Sequence, residues 1–235
     1  MTLDDLKLYQ LQLFQPLNGY RYSLDPLLLA RFCTEVPSSG HIADLGAGCG
    51  IISLILARVN QGASVVAVEN NPEMVALTEK NILHNKLSDR VIIQAEDIIN
   101  LRTNHTVSSF DLVVSNPPFR TQVSGRTSPR AGRNTARHES TAGLADFLSA
   151  AKYLVKPSGR ICFIHLPSRL AEFISLATEL KLSLLRLRMV HSNPESPANM
   201  FMAELAKGSR GTPVVEAPLF VQDMADDTRA VVTAE

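Results

Sequence analysis

Apolar residues along the chain form two kinds of run, and these alternate. Short runs dense in Val, Ile and Leu are typical of strands buried on both faces, and longer runs with polar residues at helical intervals are typical of helices. Seven strands are predicted, at 41–45, 64–70, 91–97, 110–115, 160–166, 182–190 and 199–208. Helices are predicted at 23–32, 51–59, 72–85, 144–155 and 168–180.

This order of elements predicts the fold class. Strands that alternate with helices require a mainly parallel sheet covered on both faces, which is a Rossmann-like, doubly wound α/β fold. The last two strands follow each other directly and predict an antiparallel terminal hairpin in a seven-stranded sheet. We expect one domain over 1–235, with an N-terminal extension (1–40), a core (41–207) and a C-terminal tail (208–235).

Composition is that of a globular protein and indicates its cellular compartment. The chain has 235 residues, 45% of them apolar and 20% charged, which is enough for one large α/β domain. No apolar run approaches the roughly 18 residues that cross a bilayer, and the acidic start "MTLDDLK" does not predict a signal peptide. Three cysteines without a CxxC motif favour a reducing compartment, so we expect a cytoplasmic protein with no membrane partner.

Charge is balanced overall and uneven locally. The 23 basic and 23 acidic side chains give zero net charge, which argues against a dedicated nucleic-acid coat protein. The segment from 120 to 137 nevertheless holds five arginines and no acid, within a long loop that has no periodicity. Such a loop is either a solvated segment or a functional one.

A glycine-rich loop, "DLGAGCG", follows the first predicted strand and opens a helix. Ligands of such sheets bind at the carboxyl ends of the strands, where glycines let the backbone come close to them. The candidate residues are Asp44, Gly46, Gly48 and Gly50. Their G-x-G-x-G spacing departs from the G-x-G-x-x-G of dinucleotide sites and disfavours a dehydrogenase. A tight turn with packing glycines is the alternative.

Two further acids follow the next two strands. Glu69 ends the second strand, where a carboxylate can accept both hydroxyls of a ribose. Asp97 lies just past the third strand and suits an adenine amino group, although it could instead cap a helix. Together with Asp44 they indicate a ligand with a nucleoside and no pyrophosphate. S-adenosylmethionine fits, because it combines adenine, ribose, a sulfonium and a free amino acid.

The fourth predicted strand runs into Asn116-Pro117-Pro118-Phe119. Two prolines make this segment stiff and remove its backbone donors. The Asn116 side-chain oxygen and the Pro117 carbonyl can accept both N–H bonds of a planar amine, which favours a pyramidal and more nucleophilic nitrogen. Phe119 offers a flat face for stacking. A rigid loop around a buried phenylalanine is the alternative.

These motifs resemble those of class I S-adenosylmethionine-dependent methyltransferases with an Asn-Pro-Pro-aromatic motif. Within that class, the chain is similar to the bacterial tRNA1(Val) adenine-37 N6-methyltransferase family. Four flanking segments extend the resemblance over nearly the whole chain: "NGYRYSLDPLLLARF", "ARHES", "KPSGRICFIHLPSRL" and "PANMFMAELAKGSRG". That family usually has tyrosine at the position of Phe119, and phenylalanine also occurs in methyltransferases that act on guanine N2 of rRNA.

The resemblance implies a function and roles for particular residues. It implies S-adenosylmethionine bound by the glycine loop, Glu69 and Asp97, and a substrate amine held by Asn116, Pro117 and Phe119. The expected activity is RNA N-methylation, with adenine N6 in tRNA as the first choice. The expected substrate-binding residues are Pro118, Arg120, Arg126, Arg130, Arg133 and Arg137. The arginines would grip phosphates while the base is extruded.

Several alternatives stay open at this point. The same motif serves methylation of a protein glutamine amide or of guanine N2 in rRNA, and a non-catalytic RNA-binding partner is a further possibility. Asp25 is a candidate for the amino-acid end of the cofactor, or else a helix cap. Six histidines lie scattered without ligand spacing, so no metal site is predicted and His165 is expected to be structural.

Overall fold

A central sheet with helices on both faces makes up the computed structural model, which describes residues 1–16, 24–33, 39–119, 142–208 and 211–223. The strands are β1 (Thr2–Leu6), β2 (Leu11–Gln15), β3 (His41–Leu45), β4 (Ser64–Glu69), β5 (Val91–Ala95), β6 (Phe110–Ser115), β7 (Val155–His165), β8 (Leu182–His191), β9 (Ala198–Lys207), β10 (Val214–Val215) and β11 (Leu219–Phe220). The helices are α1 (Asp25–Phe32), α2 (Ile51–Val59), α3 (Pro72–His84), α4 (Leu101–Asn104), α5 (Leu144–Leu154) and α6 (Leu170–Glu179).

The strand order of the sheet is β10-β8-β9-β7-β6-β3-β4-β5, with β11 also paired to β8. Strands β3 to β7 run parallel, and β9 runs antiparallel to both β7 and β8. The mainly parallel α/β fold and its antiparallel hairpin are therefore confirmed. The chain moves outward from β3 to β5 and then returns to place β6 on the other side of β3. The order consequently reverses between β3 and β6.

The number of strands differs from the prediction. The seven predicted strands correspond to β3 through β9, and the two-residue strands β10 and β11 bring the sheet to nine. Strands this short carry no periodic signal in the sequence. A separate two-stranded sheet, the antiparallel hairpin of β1 and β2, was also missed. Its residues alternate between exposed and buried, but the run is too short to stand out from its mixed surroundings.

Two boundaries also differ. Strand β7 begins at Val155, five residues before the predicted start, because Pro157 sits where the pairing with β6 is interrupted by a bulge. Proline is tolerated at such a bulge because no ladder hydrogen bond is lost. A side chain at Gly159 would lie 2.7 Å from the Asp111 carbonyl oxygen, so the strands approach closely there. Leu24 occupies the N-cap position of helix α1 without a side-chain capping bond, and Asp25, the expected cap, is the first helical residue.

Each face of the sheet contributes to its own hydrophobic cluster. Along β6, Leu112 and Val114 point into a cluster that includes α1, α2 and β2. Val113 between them points into the cluster formed with α5 and α6. Burial on both faces explains why this strand is almost continuously apolar. Among the described residues, no helix is long and apolar enough to cross a membrane.

Candidate active site

The predicted site residues of three strands meet at one edge of the sheet. Leu45 at the end of β3 is paired with Val68 of β4 on one side and with Ser115 of β6 on the other. The glycine loop, Glu69 and Asn116 follow these paired positions directly. This edge is also where the strand order reverses, which is the usual place for a ligand in such a sheet.

The three glycines of the loop have different surroundings. All have positive φ, at 74° for Gly46, 58° for Gly48 and 81° for Gly50. A Cβ on Gly46 would lie 3.2 Å from the Phe147 ring, and one on Gly50 would lie 2.7 Å from the Thr78 methyl group. A Cβ on Gly48 would meet no atom of the described residues within 4 Å. Packing therefore excludes side chains at the outer two glycines, whereas the middle glycine has an open face.

Hydrogen bonds fix the shape of this loop. The amides of Gly46 and Ala47 both donate to the Val68 carbonyl, at 2.9 Å each. From α3, the Thr78 hydroxyl donates to the Gly48 carbonyl at 2.6 Å, and the Asn81 amide donates to the Cys49 carbonyl at 2.9 Å. Both α3 side chains are fully buried.

Sequence reasoning missed these two contributors. Thr78 and Asn81 lie three residues apart on α3, a helix for which the hydrophobic pattern predicted no functional residue. Their spacing places them on one face, beside the buried Leu77 and Ile82. Polar residues on an otherwise apolar helix face were the available signal.

Glu69 is oriented by the backbone around it. One carboxylate oxygen accepts from the Gly48 amide at 2.9 Å. The other accepts from the amides of Asn70 and Asn71, at 3.0 and 2.8 Å. An ionised carboxylate offers about four lone-pair sites, so capacity remains for a further donor. The side chain is thereby held in one orientation next to the open glycine.

Asp97 caps a short 3-10 helix, as the alternative interpretation anticipated. Its Oδ1 accepts from the Ile99 amide at 3.1 Å. Its Oδ2 accepts from the Asn70 side-chain amide at 3.3 Å. Because the backbone of Asn70 also donates to Glu69, this one asparagine connects the two acids.

Asp44 makes its contacts inside the protein. It is fully buried, and its Oδ2 accepts from the Ser53 amide and hydroxyl at 3.1 and 2.7 Å, which fixes the first turn of α2. Its Oδ1 has no hydrogen-bond partner among the described residues. Burial raises the pKa of Asp44 to about 7, against the lowering effect of the Ser53 hydrogen bonds, and the charge of Glu69 adds to the rise.

Asn116 begins where β6 ends. The preceding Ser115 hydroxyl donates to the Leu45 carbonyl at 2.8 Å and ties the ends of β6 and β3 together. The Asn116 Oδ1 is buried and has no hydrogen-bond partner among the described residues. An unpaired buried acceptor costs free energy, so this atom has the capacity to accept a hydrogen bond from a further donor. Pro117 is buried and Pro118 is exposed.

Phe119 rests on a second aromatic layer. Its half-buried ring meets the His165 ring edge to face, with centroids 5.2 Å apart, and His165 stacks on Phe201 at 6.4 Å. The Leu166 amide donates to Nδ1 of His165 at 2.7 Å, so the neutral ring carries its proton on Nε2. Burial, with the nearby Arg169 charge, lowers the pKa of His165 to about 4, while Glu172 opposes the shift.

The arginine-rich segment cannot be placed against this site. The predicted phosphate-binding residues Arg120, Arg126, Arg130, Arg133 and Arg137 lie outside the described residues. Within the described part of the chain, no three His, Cys, Asp or Glu side chains are grouped in a way that could hold a metal ion.

The chain is similar in sequence and in fold to known methyltransferases. A Porphyromonas gingivalis protein named tRNA1(Val) (adenine(37)-N6)-methyltransferase is 30% identical over 209 residues, covering 87% of this chain and 81% of the relative. A Vibrio parahaemolyticus protein of the same name is 30% identical over 191 residues, covering 81% and 77%. The solved structure of an Agrobacterium tumefaciens protein, called a predicted O-methyltransferase, has a TM-score of 0.70 at 22% identity, covering 90% of this chain and 98% of that one.

Fold and site define a Rossmann-like methyltransferase. Residues 25–165, from the start of α1 to the end of β7, match the sequence profile of the methyltransferase small domain. The chain belongs to this family, and the sequence expectation of a methyltransferase is confirmed.

Proposed function

We propose that the protein is an S-adenosylmethionine-dependent N-methyltransferase that acts on the exocyclic amino group of a base in RNA, with adenine N6 in tRNA as its acceptor. The buried Oδ1 of Asn116 carries the proposal, because it has no partner among the described residues and is free to accept from an N–H donor. The names of the two relatives, both tRNA1(Val) (adenine(37)-N6)-methyltransferases, support the choice of adenine and tRNA. The expectation of a cytoplasmic protein is part of the same proposal.

The residues around the glycine loop fit S-adenosylmethionine. The open face of Gly48 leaves room for a ligand against the backbone. Glu69, held beside it by three backbone amides, would accept a ribose hydroxyl at its remaining lone-pair site. Asp97 would accept from the adenine amino group while it keeps its capping bond. When bound, the cofactor supplies an electrophilic methyl group on a positively charged sulfur.

Asp44 has a different role in this proposal from the one that its position in the motif suggested. Its bonds to Ser53 lie inside the protein, so it supports the loop from behind by anchoring the start of α2. Gly46 and Gly50 contribute close packing against Phe147 and Thr78. Direct approach to the cofactor is thus assigned to Gly48 and Glu69.

The Asn116 segment would prepare the acceptor nitrogen. Its Oδ1 and the Pro117 carbonyl accept the two N–H bonds of the base, which draws the nitrogen toward a pyramidal shape and frees its lone pair. Both acceptors bind more strongly as positive charge develops on the nitrogen, so they lower the barrier. Phe119 stacks on the base, and its ring is backed by His165 and Phe201.

The RNA would be gripped outside the pocket. Pro118 is exposed beside Phe119 and can contact the nucleotide next to the target. The five arginines between 120 and 137 are our candidates for phosphate contacts. Binding through phosphates predicts that RNA affinity falls steeply as the salt concentration rises.

Methylation of an unmodified tRNA tests the proposal. Purified protein, transcribed tRNA and labelled S-adenosylmethionine should yield N6-methyladenosine, identified by mass spectrometry of the digested RNA. Asn116→Ala should lower kcat by about 100- to 1,000-fold, the usual loss for one preorganised transition-state partner. Its affinity for S-adenosylhomocysteine should stay at the wild-type value.

The methylation assay has a matched control variant and two outcomes that would contradict the proposal. Asn60→Ala removes the half-buried C-cap asparagine of α2, whose side chain donates to the Leu56 carbonyl at the end of the helix opposite the glycine loop, and it should leave kcat unchanged. If the product were methylguanosine, the acceptor would be guanine and the assignment to adenine would be wrong. No transfer to any RNA by protein that binds S-adenosylhomocysteine would refute the RNA assignment.

A further inference from the structure

Two asparagines of helix α3 and its C-cap hold the β1–β2 hairpin. The Gln12 amide donates to Oδ1 of Asn85 at 2.9 Å, and Nδ2 of Asn85 donates to the Gln12 carbonyl at 2.7 Å. Asn81 repeats the arrangement with Phe14, at 2.7 Å to its Oδ1 and 3.2 Å from its Nδ2. Each side-chain amide therefore takes the place of a peptide group of a neighbouring strand.

The spacing explains why helix and strand fit together. Residues four apart on a helix are separated by about 6 Å along its axis. Residues two apart on a strand are separated by about 7 Å. Asn81 and Asn85 thus lie in step with Phe14 and Gln12, and β2 gains a partner on its outer edge that is not a strand.

Of the two asparagines, Asn81 also contacts the glycine loop. Nδ2 of Asn81 also donates to the Cys49 carbonyl in the glycine loop, at 2.9 Å and fully buried. Nδ2 of Asn85 instead donates its other bond to the Asn81 carbonyl of its own helix, at 2.8 Å. Asn81 is therefore the residue that joins the hairpin to the loop.

Thr78 supports the same loop and, among the described residues, makes no hydrogen bond to the hairpin. One turn before Asn81, its hydroxyl donates to the Gly48 carbonyl, and Gly48 is the glycine with the open face. The chain consequently offers three residues on one helix face with separable contacts. Thr78 bonds the loop, Asn85 bonds the hairpin, and Asn81 bonds both.

We propose that Asn81 is a positioning residue that couples the docking of the β1–β2 hairpin to the geometry of the cofactor loop. The proposal rests on the proposed function, in which this loop binds S-adenosylmethionine. Coupling between two sites is reciprocal. A docked hairpin favours the loop shape that binds the cofactor, and a bound cofactor in turn stabilises the hairpin.

Three variants separate the contacts, with S-adenosylhomocysteine as the probe in isothermal titration calorimetry. Asn81→Ala should weaken binding by about 5- to 20-fold, the range expected when a loop loses one fixed hydrogen bond and some of its order. Thr78→Val, nearly the same shape without the hydroxyl, should weaken binding by a similar factor. Asn85→Ala, the matched control, keeps the bonds of Asn81 to Phe14 and to the loop, so it should bind within about 2-fold of wild type.

Hydrogen exchange gives a readout that does not depend on activity. The amide of Phe14 should exchange more slowly in wild-type protein when S-adenosylhomocysteine is bound. Asn85→Ala should raise exchange at Gln12 and keep the ligand-dependent slowing at Phe14. Asn81→Ala should lose that slowing. The wild-type measurement alone still tests the coupling if Asn81→Ala fails to fold.

Two failures are distinguishable. Wild-type protein that does not bind S-adenosylhomocysteine removes the proposed function, and the coupling with it. Wild-type protein that binds the probe with no change in exchange at Phe14 overturns the coupling alone. Equal losses of affinity in Asn81→Ala and Asn85→Ala likewise refute a specific role for Asn81.

Discussion

Substitution of Gly48 by alanine is the sharpest test of the open glycine as the ligand-facing position, because the chain contains a matched control. Gly48 and Gly208 have nearly equal left-handed backbones, with φ of 58° and 61°. At both, a Cβ would meet no other atom within 4 Å in the part of the chain that the structure describes. Gly208 directly follows β9 and lies far along the chain from the glycine loop.

The expected magnitudes follow from this geometry. An alanine in the left-handed region costs about 1–2 kcal/mol, and neither position adds a steric clash. Both variants should therefore lose about the same free energy of unfolding. Gly48→Ala keeps its amide bond to Glu69, but its methyl group fills the open face, so affinity for S-adenosylhomocysteine should fall by at least about 10-fold, or 1.4 kcal/mol. Gly208→Ala should bind as wild type does.

Urea unfolding and calorimetric titration measure the two effects separately. Equal losses of stability with a loss of affinity only in Gly48→Ala support the assignment. Gly48→Ala protein with wild-type affinity would refute it, because the open face would then not be where the ligand lies. Gly50→Ala should behave differently again and lose more stability, since its Cβ would lie 2.7 Å from the Thr78 methyl group.

Three further predictions concern the supports of the site. Asp44→Asn removes a carboxyl that binds its proton more tightly in the fold, at a pKa of about 7, than in the unfolded chain, at 3.8. Wild-type stability should therefore decline, relative to the variant, as the pH rises from about 4 to 7, as measured by urea midpoints at both ends of that window. Glu69→Gln leaves either the Gly48 amide or the amides after β4 without an acceptor, and should cost about 1–3 kcal/mol of stability and weaken S-adenosylhomocysteine binding in calorimetry. Ser115→Ala loses the bond to the Leu45 carbonyl and should cost about 1 kcal/mol in urea unfolding. An unchanged pH dependence in Asp44→Asn, or wild-type stability in the other two variants, would contradict these assignments.

The sequence predicted the sheet well because burial leaves a strong local signal. Strands β3 and β6 are buried on both faces, so they are mostly apolar and easy to recognise. The start of β7 was misplaced because Pro157 and Gly159 are typical of a turn, whereas here they belong to a bulged strand. The hairpin of β1 and β2 was missed because its contacts lie about 70 residues away, on α3.

The site was predicted in part for a similar reason. Gly48, Glu69 and Asn116 stand in short motifs whose chemistry is visible from residue type and spacing. Asn81 and His165 do not, because each matters only through neighbours that are distant in sequence. Asp44 was correctly placed at the end of β3, but its burial and its bonds to Ser53 turn it inward.

The sequence by itself determined the class of fold, the order of its strands and helices, and the local motifs that end them, because hydrophobic periodicity and backbone-restricting residues act over a few positions. Only the tertiary structure decided which motifs meet, which carboxylates are already occupied by the backbone, and which buried polar atoms have no partner within the described part of the chain. Those properties depend on contacts between residues far apart along the chain, and such contacts leave no periodic trace in one sequence.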